Sequence, residues 1–265
     1  MKLFIHFFLR LGRILRVKIK IIMNAIEFSI AASQPSMSGN RPTFVGDGFL
    51  TTRDFGEFNR SFSDRFNRSL NNLTPRNIKN FHYTIWRAHY YEFFALESLR
   101  LDGDLMEMGV WYGLFANTVC QSKEFQSCGK NFHLIDAFGF DCFDTQSHGF
   151  VREKYKPDIY EAVKSRFKDS SVVFHRGIIP DILEANIDKL PEKICFLSMD
   201  LNNAQSERAG IEFVWNRLVP GAFIYIDDYG ANGYEDTRAF YDDFAGKHNC
   251  NILKTPFCAA IMQKN

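Results

Sequence analysis

The chain has 265 residues, 46% of them hydrophobic, enough to bury one full core with an N-terminal addition. Thirty-two basic and 31 acidic side chains leave a net charge of +1, so no whole-molecule field draws in nucleic acid, and a nucleic-acid partner is not expected. Six cysteines, Cys120, Cys128, Cys142, Cys195, Cys250 and Cys258, show neither C-x-x-C nor zinc-finger spacing; thiols in a reducing cytoplasm are the expectation.

Residues 1–47 read as a basic amphipathic extension and linker, and 48–265 as one α/β domain with its core at 84–265. The apolar run at 4–9 is too short to span a bilayer, and His6 interrupts it. Arg10, Arg13, Arg16, Lys18 and Lys20 then alternate with Leu11, Ile14, Leu15, Val17 and Ile19. Residues 1–22 suit peripheral contact with an anionic membrane surface or a helix docked on the domain; a start at Met23 or Met37 would leave them untranslated. Basic residues where a signal peptide would be cleaved disfavour secretion. The stretch 33–47, rich in Ser, Pro and Gly, reads as a linker.

From 49 to 80 the chain is polar with recurring Phe55, Phe58, Phe62 and Phe66 and no strict period, as in short helical turns over the fold or a mobile lid. Ile85, Ala88, Tyr91, Phe94, Ala95 and Leu99 predict a helix over 84–101. Strands are predicted at 104–108, 131–136, 171–175, 194–200 and 222–227, alternating with helices at 112–125, 157–167, 180–189, 206–218 and 234–248. That alternation predicts an α/β fold, a mostly parallel sheet with helices on both faces. Runs at 250–253 and 257–262, joined through Pro256, add an antiparallel C-terminal hairpin and bring the sheet to seven strands.

The segment 103–113, GDLMEMGVWYG, ends an apolar strand in an acid and opens a helix through glycines. A parallel sheet binds ligands beyond its strand carboxyl ends, so Glu107 and the backbone after it read as a nucleoside-cofactor loop. Glu107, Gly109 and Gly113 make E-x-G-x-x-x-G, with Trp111 where a pyrophosphate turn needs its second glycine. A dinucleotide is disfavoured, and S-adenosyl-L-methionine, which has no phosphate to cradle, fits better. Asp136, at the end of the next strand, is placed to accept both ribose hydroxyls of the adenosyl group, against the plainer reading of a capping or solvated acid. Arg176 and Gly177, after the third strand, are placed to border the adenine.

Asp200, Asp227 and Asp228 end two further strands. Carboxylates gathered this closely need a proton or a cation, and oxygen-only ligation suits Mg²⁺ or another hard divalent cation. The plainer alternative has Asp228 capping the next turn and Asp227 alone pointing inward. Asn202 is placed to add a carbonyl oxygen or a supporting hydrogen bond.

These residues resemble the Mg²⁺-dependent sugar O-methyltransferases of the macrocin O-methyltransferase type, within the class I S-adenosylmethionine-dependent methyltransferases. The resemblance covers roughly 84 to the C-terminus and is carried by GDLMEMGVWYG, LIDAFGF from Leu134, FLSMDLNNAQSE from Phe196 and RLVPGAFIYIDDYG from Arg217. It implies the Rossmann-like class I methyltransferase fold, S-adenosylmethionine held by Glu107, Gly109 and Asp136, a metal held by Asp200, Asp227 and Asp228, and a sugar hydroxyl as acceptor. Members often carry Asp-x-Asp at the fourth strand, where this chain has Asp200-Leu201-Asn202, which implies lower metal affinity; Ala222 replaces a usual glycine.

In such a reaction the metal would orient two neighbouring hydroxyls, with Asp200 at the reacting end, and a base would take the proton. His148, in the loop 141–156 after the second strand, is the candidate base, with Asp141 and Asp144 as substitutes and a solvated loop histidine as the plain alternative. Trp111 and Tyr112 read as a cofactor shelf or core, Tyr229 and Tyr234 as the acceptor pocket. His133 reads as packed in its strand and His175 as a strand-end histidine; His82 and His89 line a cleft or the surface. Competing readings are a nicotinamide-dependent oxidoreductase, which Trp111 opposes, a methyltransferase-like binding module without catalysis, and a catechol O-methyltransferase. The acceptor is a small molecule or glycan, and the oligomeric state is open, a homo-oligomer included.

Overall fold

A computed structural model of the chain describes residues 44–46, 49–51, 59–73, 84–139, 158–167 and 171–265. Residues 1–22, His82, Asp141, Cys142, Asp144 and His148 therefore lie outside the described residues. The chain divides into two units, Met1–Val45 with Phe49–Phe58, and Gly46–Gly48 with Asn59–Asn265. Short strands β1 (Phe44–Gly46) and β2 (Phe49–Thr51) pair in a two-stranded sheet of their own.

The second unit opens with helices α1 (Arg60–Leu73) and α2 (Ile85–Glu97). The region expected to hold only short turns or a lid thus contains a regular helix, and its apolar period is Phe62, Phe66 and Leu70, all buried at i, i+4 spacing. Arg65 binds both carboxylate oxygens of Glu92 at 2.8 Å and ties α1 to α2. Next come β3 (Asp104–Met108), α3 (Leu114–Cys120), α4 (Lys123–Cys128), β4 (Phe132–Asp136), α5 (Tyr160–Lys164), β5 (Val172–Arg176) and α6 (Asp181–Ala185). The chain ends with β6 (Ile194–Met199), α7 (Ala204–Val214), β7 (Leu218–Ile226), α8 (Glu235–Lys247), β8 (Ile252–Lys254) and β9 (Ala260–Gln263).

Several element boundaries differ from the sequence pattern. The helix expected over 112–125 is two helices, because Gly113 is left-handed (φ +69°) and Ser122 accepts the Phe125 N–H as the cap of a new helix. The helix expected over 157–167 contracts to Tyr160–Lys164. Strand β7 begins at Leu218, before Pro220 and Gly221, because a register shift absorbs the proline and the left-handed glycine (φ +86°).

The seven strands run β5-β4-β3-β6-β7-β9-β8, with the first five parallel and β9 antiparallel to both β7 and β8. Chain order reverses between β3 and β6, the place where an open α/β sheet leaves a crevice for ligands. Register aligns the carboxyl ends there: Met108 pairs with Ile135 on one side and Met199 on the other, Met199 pairs with Ile226, and Asp136 pairs with Arg176. The residues beyond those pairs, Gly109, Asp136, Asp200 and Asp227, therefore stand in one row with Arg176, each about one strand spacing (~4.8 Å) from the next. Two apolar clusters, one per sheet face, fix this edge. Leu197, Ile211 and Ile224 belong to one and Leu105, Phe196 and Tyr225 to the other.

Within the sheet, His133 and His175 stack with their centroids 5.3 Å apart and share an Nδ1 to Nε2 hydrogen bond of 3.0 Å. Both are buried, and His133 Nε2 lies 3.4 Å from Asp104. Burial first, then the charges of His133 and Lys189, pulls His175 down to about 4 from its ordinary 6.5. The unfolded chain takes that proton near 6.5 and the folded chain only near 4, so stability falls as pH drops through this window. His175→Gln, which keeps a hydrogen-bonding group without the titration, should shrink the loss measured as a urea midpoint between pH 7 and pH 5; an unchanged loss would place the acid sensitivity elsewhere.

Candidate active site

Beyond β3 the chain turns through three left-handed residues, Gly109 (φ +88°), Trp111 (φ +47°) and Gly113 (φ +69°). At Gly109 a side chain is excluded outright, since a Cβ would overlap the Asp200 carbonyl oxygen and stand 2.6 Å from its carbon. At Gly113 a Cβ would lie 2.8 Å from the Phe167 ring. Trp111 has no such freedom, and its backbone is held by Asp136: Oδ2 accepts the N–H groups of Val110 (2.6 Å) and Trp111 (2.7 Å), and Oδ1 accepts that of Phe138 (2.6 Å). The carboxylate sits in a nest of backbone amides. Asp136 therefore anchors the loop, while Oδ1, with one donor, keeps accepting capacity for a hydroxyl.

Glu107 is buried under the loop, and Oε2 accepts the Tyr91 hydroxyl at 2.9 Å. Tyr91 is 0% exposed among Phe115, Phe196 and Tyr225. Burial, joined by the charges of Asp136 and Asp227 and opposed by the Tyr91 hydrogen bond, pushes Glu107 up to about 8.

On the other side of Gly109, Asp200, Asp227 and Asp228 each bring one oxygen to within 4.8 Å of the others. Asp227 is buried and receives Arg87 Nη1 at 2.7 Å. Burial and then the charges of Asp227 and Asp228 hold the Asp200 carboxyl well above the usual carboxylate range, with Arg87 pulling the other way. Three hard oxygen donors at this spacing fit a divalent cation, and Arg87 would leave the cluster with the charge one such ion neutralises. Asn202, left-handed at φ +60°, turns its amide nitrogen to Asp200 Oδ1 (3.4 Å), while its own oxygen accepts the Tyr234 hydroxyl at 2.7 Å. Of the two roles foreseen for Asn202, the geometry matches the supporting hydrogen bond.

The remaining candidates fall in different places. Gly177 N–H donates to the Asp136 carbonyl at 3.0 Å, and Ile182 fills the space its side chain would take. Arg176 is exposed, pairs with Asp158 at 2.7 Å and lies over the Tyr160 ring. The Trp111 and Tyr112 rings meet at a tilt of 47° with centroids 4.8 Å apart. Tyr229, expected in the acceptor pocket, is buried in the turn after β7 and donates to Asp242 of α8 at 2.6 Å. His175 is bonded to His133 inside the sheet. His89 packs against Phe62 with the rings tilted by 59° and 5.0 Å between centroids. Sequence reading missed Arg87, the partner of a residue 140 positions away, and the buried pair Glu207 and Tyr241. Only the charge of Arg87 and Glu207 within otherwise packed helices hinted at them.

Two consequences are measurable. Gly109→Ala adds a strained φ and a backbone overlap, and should cost on the order of 3 kcal/mol in chemical denaturation; a cost below about 1 kcal/mol would mean that the loop does not rest on Asp200. The folded protein keeps the Glu107 proton up to about 8 while the unfolded chain loses it near 4.5, so stability falls as pH rises between these values. Glu107→Gln should flatten that part of the stability profile, and an unflattened profile would contradict the burial argument.

Residues 95–257 match the sequence profile described as macrocin-O-methyltransferase (TylF), more than half of the chain. No curated protein matches it in sequence. Among solved structures it is similar to the O-methyltransferase NovP, with 16% identity, 68% of this chain and 80% of that one covered, and a TM-score of 0.54. The calicheamicin methyltransferase CalS11 shares 16% identity over 80% of this chain and 94% of that one, TM-score 0.54. The O-methyltransferase TomG from Streptomyces achromogenes, solved in complex with SAM, shares 12% over 80% and 94%, TM-score 0.53. At these identities the likeness establishes the Rossmann-like class I fold. On its matched sequence, the chain belongs to the macrocin-O-methyltransferase family and is a methyltransferase.

Proposed function

We propose that the protein transfers the methyl group of S-adenosyl-L-methionine to a hydroxyl of a sugar or glycoconjugate, assisted by Mg²⁺ or another divalent cation. The observation that carries this reading is the row of strand ends in which Gly109 stands between Asp136 on one side and Asp200 on the other, with Asp227 beyond. The family supports methyl transfer, the SAM complex of TomG supports the donor, and the resemblance through Asp227-Asp228-Tyr229 supports the sugar acceptor.

When bound at Asp200, Asp227 and Asp228, the cation would hold neighbouring acceptor hydroxyls and lower their proton affinity. Asp200 presents its carboxylate from the end of β6, backed by the glycine that lets the cofactor loop rest against it. Arg87 neutralises part of the charge of Asp227 and orients it. Asp136 keeps Val110 and Trp111 in the shape that receives the adenosyl group, and offers Oδ1 to its ribose. Glu107, Gly109 and Gly113 form the floor of that loop, and Arg176 and Gly177 border the adenine side. The base is assigned to His148, in the loop 141–156 after the second predicted strand, with Asp141 and Asp144 as substitutes. We read the activity as cytoplasmic, from six cysteines without paired spacing. No helix among the described residues is long and apolar enough to cross a membrane.

Calorimetric titration of S-adenosylmethionine and of Mg²⁺ into wild type, Asp136→Ala and the Asp227→Asn, Asp228→Asn double variant tests the reading. Wild type should bind both; Asp136→Ala should lose cofactor affinity by tenfold or more, and the double variant should keep the cofactor and lose the metal. Chelation of the metal should lower methyl transfer to a sugar acceptor on the order of a hundredfold. No cofactor binding under any condition would contradict the reading and favour a binding module without catalysis.

A further inference from the structure

Glu207, on the first turn of α7, is a charged residue 1% exposed, and a carboxyl is buried only at a cost that its partners must offset. Its two oxygens have separate partners. Oε1 accepts the backbone N–H of Leu201 at 3.2 Å, and Oε2 accepts the hydroxyl of Tyr241 at 2.6 Å. Tyr241, on α8, is itself 0% exposed. Leu201 is the residue directly after Asp200, and the turn it begins is held at two further points: Tyr234 donates to Asn202, and Asn203 accepts the Ser206 N–H at 2.8 Å as the cap of α7. Tyr234, the residue that caps the start of α8, holds the turn directly at Asn202, and Tyr241, within α8, holds it through Glu207.

We infer that Glu207 is a positioning residue for the cation cluster: supported by Tyr241, it fixes the Leu201 N–H and thereby the oxygen that Asp200 presents. The inference rests on the reading of Asp200, Asp227 and Asp228 as a divalent-cation site. Glu207 is not among the ligands of that site, because the cluster of close carboxylates is Asp200, Asp227 and Asp228 and does not include it. Its influence passes through one backbone amide. Metal ligands must be placed to about 0.2 Å, and Asp200 is set from one side by the contact with Gly109 and from the other by this amide. Removing the carboxyl leaves the Leu201 N–H without its acceptor inside the protein and frees the strand end to shift. Groups that orient ligands in this way change metal affinity by about ten- to a hundredfold when removed.

The test is titration of Mn²⁺, followed by calorimetry and by the electron paramagnetic resonance signal of free Mn²⁺, into wild type, Glu207→Ala, Glu207→Gln, Tyr241→Phe and Asp200→Asn. Metal-free thermal melts in parallel establish folding. The expected result is a Mn²⁺ affinity weakened tenfold or more in Glu207→Ala and threefold or more in Tyr241→Phe, with Glu207→Gln within threefold of wild type because its amide oxygen still accepts the Leu201 N–H. Wild-type affinity in Glu207→Ala, or in Tyr241→Phe where Glu207→Ala fails to fold, would overturn the inference while leaving the cation site standing. Equal weakening in Glu207→Gln and Glu207→Ala would overturn it as well. A wild type that takes no Mn²⁺, or an Asp200→Asn that binds it as wild type does, would instead overturn the reading of the cation site itself.

Discussion

The candidate site depends on a contact in which nothing but hydrogen fits: the α-carbon of Gly109 against the backbone carbonyl of Asp200. Strands β3 and β6 are neighbours and end level, so the chain leaving β3 must cross the end of β6 to begin its loop. A side chain at Gly109 would push that loop off Asp200. With glycine there, the loop that Asp136 organises and the carboxylates that follow β6 and β7 become two faces of one backbone junction. Methyl transfer needs donor and acceptor aligned for in-line attack, and a junction fixed by backbone packing sets that distance without relying on flexible side chains.

The same edge gathers five carboxyl groups, and the protein handles each differently. Asp136 is surrounded by backbone amides. Glu107 is left in an apolar pocket with one phenol and stays protonated over most of the physiological range. Asp227 has a guanidinium. Asp200 and Asp228 complete a cluster with Asp227 whose three oxygens lie within 4.8 Å of one another, and added positive charge is favoured there. The electrostatics thus separates a neutral or internally satisfied half beside the cofactor loop from a charge-demanding half beside it, which matches the division of labour proposed for donor and acceptor.

Much of this was legible in the sequence because it follows from period and strand order. Apolar runs placed the five parallel strands, three of them finishing in acid, and a doubly wound sheet brings their ends together whatever the sequence between them. What escaped were features that depend on packing. Phe62, Phe66 and Leu70 form a helical stripe, but the polar residues around them hid the period. Pro220 and Gly221 read as a strand boundary, whereas a register shift lets β7 run through them. Arg87 lay on a helix read for its apolar face alone, and its partner is distant in sequence. The sequence suggests a ribose-accepting role for the Asp136 carboxylate, but its hold on Val110 and Trp111 depends on backbone angles that residue identity at Trp111 would not suggest.

The most direct measurement is a crystal structure of the protein grown with Mn²⁺ and S-adenosylhomocysteine, with diffraction collected at the manganese edge. The account predicts one anomalous peak ligated by Asp200, Asp227 and Asp228, with the homocysteine product in the adjoining Gly109 loop and its ribose on Asp136. A manganese peak elsewhere, or the nucleoside bound away from that loop, would contradict the claim that the two halves form a single site.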